Sequence, residues 1–173
     1  MNIEMNKYIQ SDQYRLGGGK PPMFQIVMRK CAASKGIIQL FYRLIYKYLR
    51  TRRGIDIDWD TEIGYGLYIG HPYGITINRM ARIGNNCNIH KGATIGQENR
   101  GERKGYPTIG NKVYIGINAT VCGNVSIGDD VMIASNSFVN FDVPSHSIVF
   151  GNPGIIKHKE KATENYIINE WPV

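Results

Sequence analysis

Asp56, His71 and His90 are the side chains of this chain whose types and spacing could move a proton. An imidazole beside a carboxylate is held in one tautomer and made more basic, which suits deprotonation of a hydroxyl. His71 is followed by Pro72-Tyr73-Gly74, which breaks an otherwise regular pattern. Local rules tend to fail at functional sites. The plainer alternative, that all three are ordinary surface residues, stays open. A catalytic zinc ion takes three convergent protein ligands, and His146 lies too far along the chain to join His71 and His90. A metal centre would need a ligand from a neighbouring subunit, and none is expected. Cys31, Cys87 and Cys122 form neither a metal spacing nor a disulfide framework, which points to a reduced, cytoplasmic protein.

The elements that would position these residues come from a six-residue period. Ile57, Ile63 and Ile69 begin it; Ile77, Ile83, Ile89 and Ile95 continue it; Ile109, Ile115, Val121, Ile127, Ile133 and Val139 complete it. Four places after nearly every one stands a small or aliphatic residue, such as Ala81, Cys87, Ala93, Ala119 or Val131, and Tyr73 breaks the rule. Steps of about 100° would scatter these positions around a helix. In a strand, places one and five share a face. The period therefore predicts a solenoid of very short strands whose stacked coils bury what one repeat cannot.

With three repeats per turn, repeats three apart share a face. On that count Asp56, His71 and His90 occupy one face in successive turns, roughly 5 Å apart. Two breaks interrupt the count. Two residues are added at Ile75-Thr76, and over Gln97–Pro107 a charged excursion replaces two repeats plus two residues. The resulting organisation is a helical cap over 1–53, the array over 54–154 with a loop at 97–108, and a tail over 155–173. The tail is expected to close in a short helix around Thr163–Glu170.

Residues 1–20 are polar, end in Gly17-Gly18-Gly19 and read as a flexible join without a secretory signal pattern. From Met23 to Arg53 the pattern is helical, with Ile37, Ile38, Phe41, Leu44, Ile45, Tyr48 and Leu49 in steps of three and four. Arg43, Lys47 and Arg50 face away. Such a segment could cap the open end of the solenoid or rest as a basic helix on a membrane surface. Both readings stay open, and no apolar run is long enough to span a bilayer. The net charge is +7, from 21 basic and 14 acidic residues. The basic clusters are not interleaved with stacking aromatics, so nucleic acid is not an expected partner. A phosphate-bearing small molecule or an anionic surface suits them.

From Gly54 to Lys157 the sequence resembles the hexapeptide-repeat acyltransferases, and within them the serine acetyltransferase branch. The likeness rests on GIDI followed 15 residues after its Asp by a histidine, on GNNCNIHKGATIG, and on VPSHSIVFGNPGII. The resemblance implies a left-handed parallel β-helix, a homotrimer, and acetyl-CoA held between neighbouring coils. It makes His71 the general base and Asp56 its carboxylate partner. It puts Gly96, Gly116, Ile117, Ser135, Lys157 and Lys159 along the cofactor, with direct attack of an acceptor hydroxyl on the thioester.

The departures concern the acceptor. Where the family has a glutamate eight residues after the base, this chain has Arg79. The second histidine is replaced by Tyr106, with His90 as another candidate for its work. The Asp before the base is Gly70, while Arg103 matches the arginine that holds the serine carboxylate, and Tyr73 joins the acceptor set. A cation does not hold an ammonium group, so the expected acceptor is a sugar hydroxyl in polysaccharide biosynthesis, with L-serine as the alternative. A non-catalytic scaffold built on the same coil is the rival from another class.

Overall fold

The computed structural model describes residues 3–173, so Met1 and Asn2 of the expected cap lie outside it. Three helices, α1 (Ile3–Arg15), α2 (Met23–Ala33) and α3 (Gly36–Thr51), precede a three-sided solenoid of two- to four-residue strands. Its first face stacks Asp56–Ile57, Thr76–Ile77, Thr94–Gly96, Thr120–Cys122 and Phe138–Val139 in parallel. The second stacks Glu62–Ile63, Arg82–Ile83, Thr108–Ile109 and Ser126–Ile127. The third stacks Tyr68–Gly70, Asn88–His90, Val113–Ile115, Val131–Ile133 and Ser147–Phe150, closed by an antiparallel strand, Ile155–His158.

Register explains why the period works. Ile57 pairs with Ile77, Ile77 with Ile95, and Val121 with both Ile95 and Val139, so each leading residue sits on the one below. The leading positions are buried throughout, and so are most fifth positions, such as Ala93, Ala119 and Val131. A buried Ile or Val contributes about 1.5–3 kcal/mol. Ordering six backbone residues costs about 1–2 kcal/mol each. One rung cannot hold itself, and the stack is the unit of stability.

The two breaks differ from the expectation. Thr76 pairs with Thr94, and a Cβ on Gly74 would lie 3.9 Å from Gly92 Cα, so residues 74–77 are in step with 92–95. The added pair therefore lies in the corner His71–Tyr73 rather than at Ile75-Thr76. Ile95 belongs to the first face and Ile109 to the next one. The excursion is thus eight extra residues in a single repeat, not a replacement of two. It folds back on itself through mutual backbone bonds between Glu98 and Gly105 of 3.1 and 3.0 Å.

The N-terminal region is more ordered than its composition suggests. Residues 3–15 form α1 rather than a flexible join, and Met23–Arg53 is two helices, broken at Ser34-Lys35 before Gly36 at φ +58°. These helices satisfy the exposed edge of the first coil. Ser11 Oγ and Asp12 Oδ1 accept from the Gly66 and Leu67 amides. Gln25 donates to Leu67 O, and Arg29 to Ile63 O and Gly64 O. Tyr46 Oη and Arg50 donate to Ile57 O. Asp12 and Arg29, both buried, join in a forked pair at 3.0 and 3.1 Å. Leaving these coil-edge groups unpaired would cost about 1–3 kcal/mol each, so capping accounts for the inner side of the helices.

The tail is held by turns rather than the expected helix, with Lys161, Asn165 and Asn169 at positive φ. Asp130 anchors it, accepting from the Ala162 and Thr163 amides at 3.0 Å and from Thr163 Oγ1 at 2.6 Å. His146 Nδ1 lies 2.9 Å from the same carboxylate. Burial pushes the Asp130 pKa up, but the bonds from Thr163, His146 and Ala162 outweigh it and hold the carboxyl below its usual range. The bond to Asp130 raises His146. The signs fix a pH window. Asp130's contribution is full above the ordinary carboxylate pKa and is lost as pH falls through its depressed value. His146's is full below the ordinary imidazole pKa and is lost as pH rises through its raised value. The protection factors of the Ala162 and Thr163 amides, corrected for the intrinsic pH dependence of exchange, are therefore expected to peak between these limits and to fall in Asp130→Asn. Protection there that does not vary with pH would contradict the anchor.

Candidate active site

His71 follows the strand Tyr68–Gly70 at the corner where the third face turns into the first. It is exposed, with φ +54°. From turn to turn of this corner the left-handed residue is Gly54, Gly74, Gly92, Asn118 or Asn136, Gly74 being the one in His71's own turn. The inserted pair adds a second left-handed residue and gives it to a histidine, held by a Tyr73 amide bond to His71 O at 2.7 Å. A non-glycine residue there carries strain of order 1 kcal/mol, and such strain clusters at functional sites.

His90 is one rung above, paired in register with Gly70. Its ring fills the space over that glycine: a Cβ at position 70 would lie 2.4 Å from His90 Nδ1. An aspartate before the base is therefore incompatible with His90 as placed. The imidazole lies 4.7 Å from the Tyr114 ring and 6.1 Å from Tyr68. Burial, and secondarily the proximity of His71, lowers its pKa, and Nε2 is buried without a hydrogen-bond partner. His90 is thus a neutral neighbour of His71. With Arg15, Asn88, Tyr68, Tyr114 and Tyr166 it lines a cavity of about 260 Å³ beneath the tail. A larger cavity of about 730 Å³, against α1, α2 and the second face, contains none of the expected site residues.

Asp56 does not share the face of His71. Most strands of the first face begin one residue before the leading isoleucine, so Asp56 opens that face, whereas His71 follows a strand of the third. Its carboxylate is exposed and pairs with Arg50 at 3.3 Å. The two residues flank one corner on adjacent rungs, because the Asp56 amide donates to Ile75 O and the Gly74 amide to Arg53 O. Tyr73, also exposed, has the Arg53 guanidinium 5.7 Å from its ring.

The remaining expected residues fall at different corners. Ile117 and Ser135 rise above His71 on its own corner, and Gly116 follows the strand leading to it. A Cβ on Gly116 would lie 2.7 Å from Ser135 N, so the glycine permits this close stacking. Gly96, Arg79, Arg103 and Tyr106 lie at the far side of the first face, where it turns into the second. Arg79 is bonded to Asp60, and Arg103 to Asp142 at 3.2 Å. Lys157 is mid-way along the closing strand opposite Ile148, and the Lys159 amide bonds to His146 O at the remaining corner. His71, Ile117 and Ser135 thus lie on one margin of the first face, and Gly96, Arg79, Arg103 and Tyr106 on the other. About six extended residues separate them, up to roughly 20 Å.

Asp60, Asp142, Tyr68 and Tyr114 escaped the sequence reading. Tyr68 and Tyr114 occupy outward places on the third face and were reachable by the same three-repeat count. The pairings of Asp60 and Asp142 depend on corner geometry, which no period encodes. Among the described residues, no group of three or more His, Cys, Asp or Glu side chains is placed to hold a metal ion.

Residues 106–140 match the family described as bacterial transferase hexapeptide (six repeats). The chain is 36% identical over 117 residues to the serine acetyltransferase of Synechococcus elongatus, covering 68% of this chain and 48% of that protein. It is 41% identical over 114 residues to that of Staphylococcus xylosus, covering 66% and 53%. The chain thus spans about half the length of these curated relatives. Among solved structures, serine acetyltransferase isoform 3 of Entamoeba histolytica, in complex with cysteine, matches with a TM-score of 0.70 at 26% identity, covering 95% of this chain and 63% of that one. The enzyme from Neisseria gonorrhoeae matches with a TM-score of 0.71 at 26% identity, covering 91% and 67%. The repeat and these folds fit the left-handed coil. They overturn the expectation of a saccharide acceptor: the relatives are serine acetyltransferases. That expectation read Arg79 as a free cation, and the ion pair with Asp60 removes its basis.

Proposed function

Because this chain is a relative of the serine acetyltransferases built on the hexapeptide repeat, we propose that it transfers acetyl from acetyl-CoA to the hydroxyl of L-serine, as a cytoplasmic homotrimer. The observation that carries this reading is His71, exposed and strained at the foot of a column formed by Ile117 and Ser135. Three rungs at about 4.8 Å give that column some 14 Å, suited to an extended thiol arm. His71 accepts the serine hydroxyl proton as the oxygen attacks the thioester carbonyl. The carbon–sulfur bond then breaks, and the thiolate takes the proton back from the imidazolium. His90, neutral beside it, adds no second positive charge at that moment.

The acceptor contacts come from the opposite margin of a neighbouring subunit. Arg103 exchanges Asp142 for the substrate carboxylate, Asp60 beside Arg79 faces the ammonium, and Tyr106 stands in the place of the family's second histidine. Gly96 allows close approach of the cofactor and Gly116 lets Ser135 stack close beside it, with Lys157 and Lys159 nearer its phosphates. Two margins that one chain keeps apart meet when a second first face is set against them, which supports a trimer with sites at its seams. The reading extends to a peripheral membrane contact through the exposed side of α3.

Free thiol release from acetyl-CoA is the direct test. Saturable release is expected with L-serine and only background with L-alanine, which lacks the hydroxyl. Equal rates with both amino acids would defeat the proposal.

A further inference from the structure

We infer that the outer side of α3 seats the protein on an anionic lipid surface, an inference that deepens the membrane-contact part of the proposed function. Ile37, Ile38, Phe41, Leu44 and Tyr48 are 78, 59, 60, 64 and 59% exposed. Residues 37, 41, 44 and 48 are spaced by four, three and four, so they form one stripe. The inner side of the helix is already occupied: Tyr46 is buried and bonded to Ile57 O, with Tyr42, Ile45 and Leu49 packed on the core. The outer stripe is therefore not needed to cap the coil. Single exposed apolar residues are ordinary, but a continuous stripe of large ones marks an interaction surface.

Charge selects the occupant. α3 contains Arg43, Lys47 and Arg50 and no acidic residue. Lys35 precedes it and Arg52 follows, both exposed. The nearby Asp56 and Asp58 are both turned to Arg50. A second copy meeting this stripe with its own would oppose Arg43 and Lys47 to the same cations. An uncharged bilayer would accept the apolar side chains but offer the cations nothing. An anionic bilayer accepts both, with the long basic side chains reaching back to the headgroups. Among the described residues no helix is long and apolar enough to cross a membrane, so α3 lies in the interface plane.

Co-sedimentation of the full chain with vesicles of phosphatidylcholine alone, or mixed with phosphatidylglycerol, tests this. Retention is expected to be at least tenfold stronger on the anionic vesicles and to weaken with salt. Each basic residue near such a surface is worth about fivefold, so the Arg43→Glu/Lys47→Glu protein is expected to lose at least tenfold. The Phe41→Asp/Leu44→Asp protein is expected to lose retention altogether. Both substitutions fall on exposed positions, and unchanged circular dichroism and thermal midpoint verify the fold. Equal retention on the two vesicle types overturns the inference. So does a drop in the light-scattering mass of Phe41→Asp/Leu44→Asp, which would assign the stripe to a second copy. Thiol release assayed without lipid reports on the catalytic proposal separately: normal turnover with failed sedimentation removes only the lipid contact, and the reverse removes only the catalytic reading.

Discussion

His71→Ala is expected to lower acetyl transfer by at least ~10²-fold, the loss typical of a missing general base. The prediction follows from what His71 does not do. It lies outside the buried core, and its imidazole is exposed at a corner lengthened by two residues. Removing the side chain leaves every stacked isoleucine in place, so folding and acetyl-CoA affinity should be unaltered while kcat falls. Alanine at φ +54° adds little strain beyond what histidine already carries. Comparable turnover by the variant and the parent would take His71 out of the reaction. A large rise in KM for acetyl-CoA with unchanged kcat would instead make it a cofactor contact.

Mixed assemblies give the second large effect. A chain with His71→Ala keeps the margin that bears Arg103 and Tyr106. A chain whose 98–105 excursion is replaced by a two-glycine turn keeps the margin that bears His71. Each alone is expected to be inactive. Co-refolded in equal amounts, random assembly places two intact margins together at about one seam in four, so about a quarter of parental activity should return. If no activity returns while mixed trimers form, the two margins serve the same chain or do not cooperate. Such restoration has no counterpart in a scaffold protein.

The sequence carried the parallel rungs of the three faces, though not the antiparallel strand Ile155–His158, because register in a solenoid is dictated by which residues are large and which small. It misplaced the corner insertion because counting by six cannot tell where, between two leading residues, the extra pair lies. That is decided by Gly74 stacking on Gly92 and by Thr76 pairing with Thr94. Asp56 was assigned to the wrong face for a related reason: the sixth place of one repeat is the first residue of the next strand. α1 was missed because its buried positions include Ser11, Asp12 and Arg15. Their burial is compensated by backbone groups some fifty residues away, which hydrophobic periodicity does not reveal. Arg79 was read as a lone positive charge because its partner, Asp60, is nineteen residues off along the chain and one rung below.

α1 and the tail meet on the third face. Arg15 of α1 donates to Gly66 O, to Asn88 Oδ1 and to the carbonyl of Ile168, while Asn86 and Asn88 hold Trp171 and Tyr166. Linear arrays usually peel apart from their extremities. Here the segment 165–171 crosses the pile and is clasped there by α1, so neither can come loose without freeing the other. The fastening turns a ladder into something closer to a closed loop, and it should melt as one body.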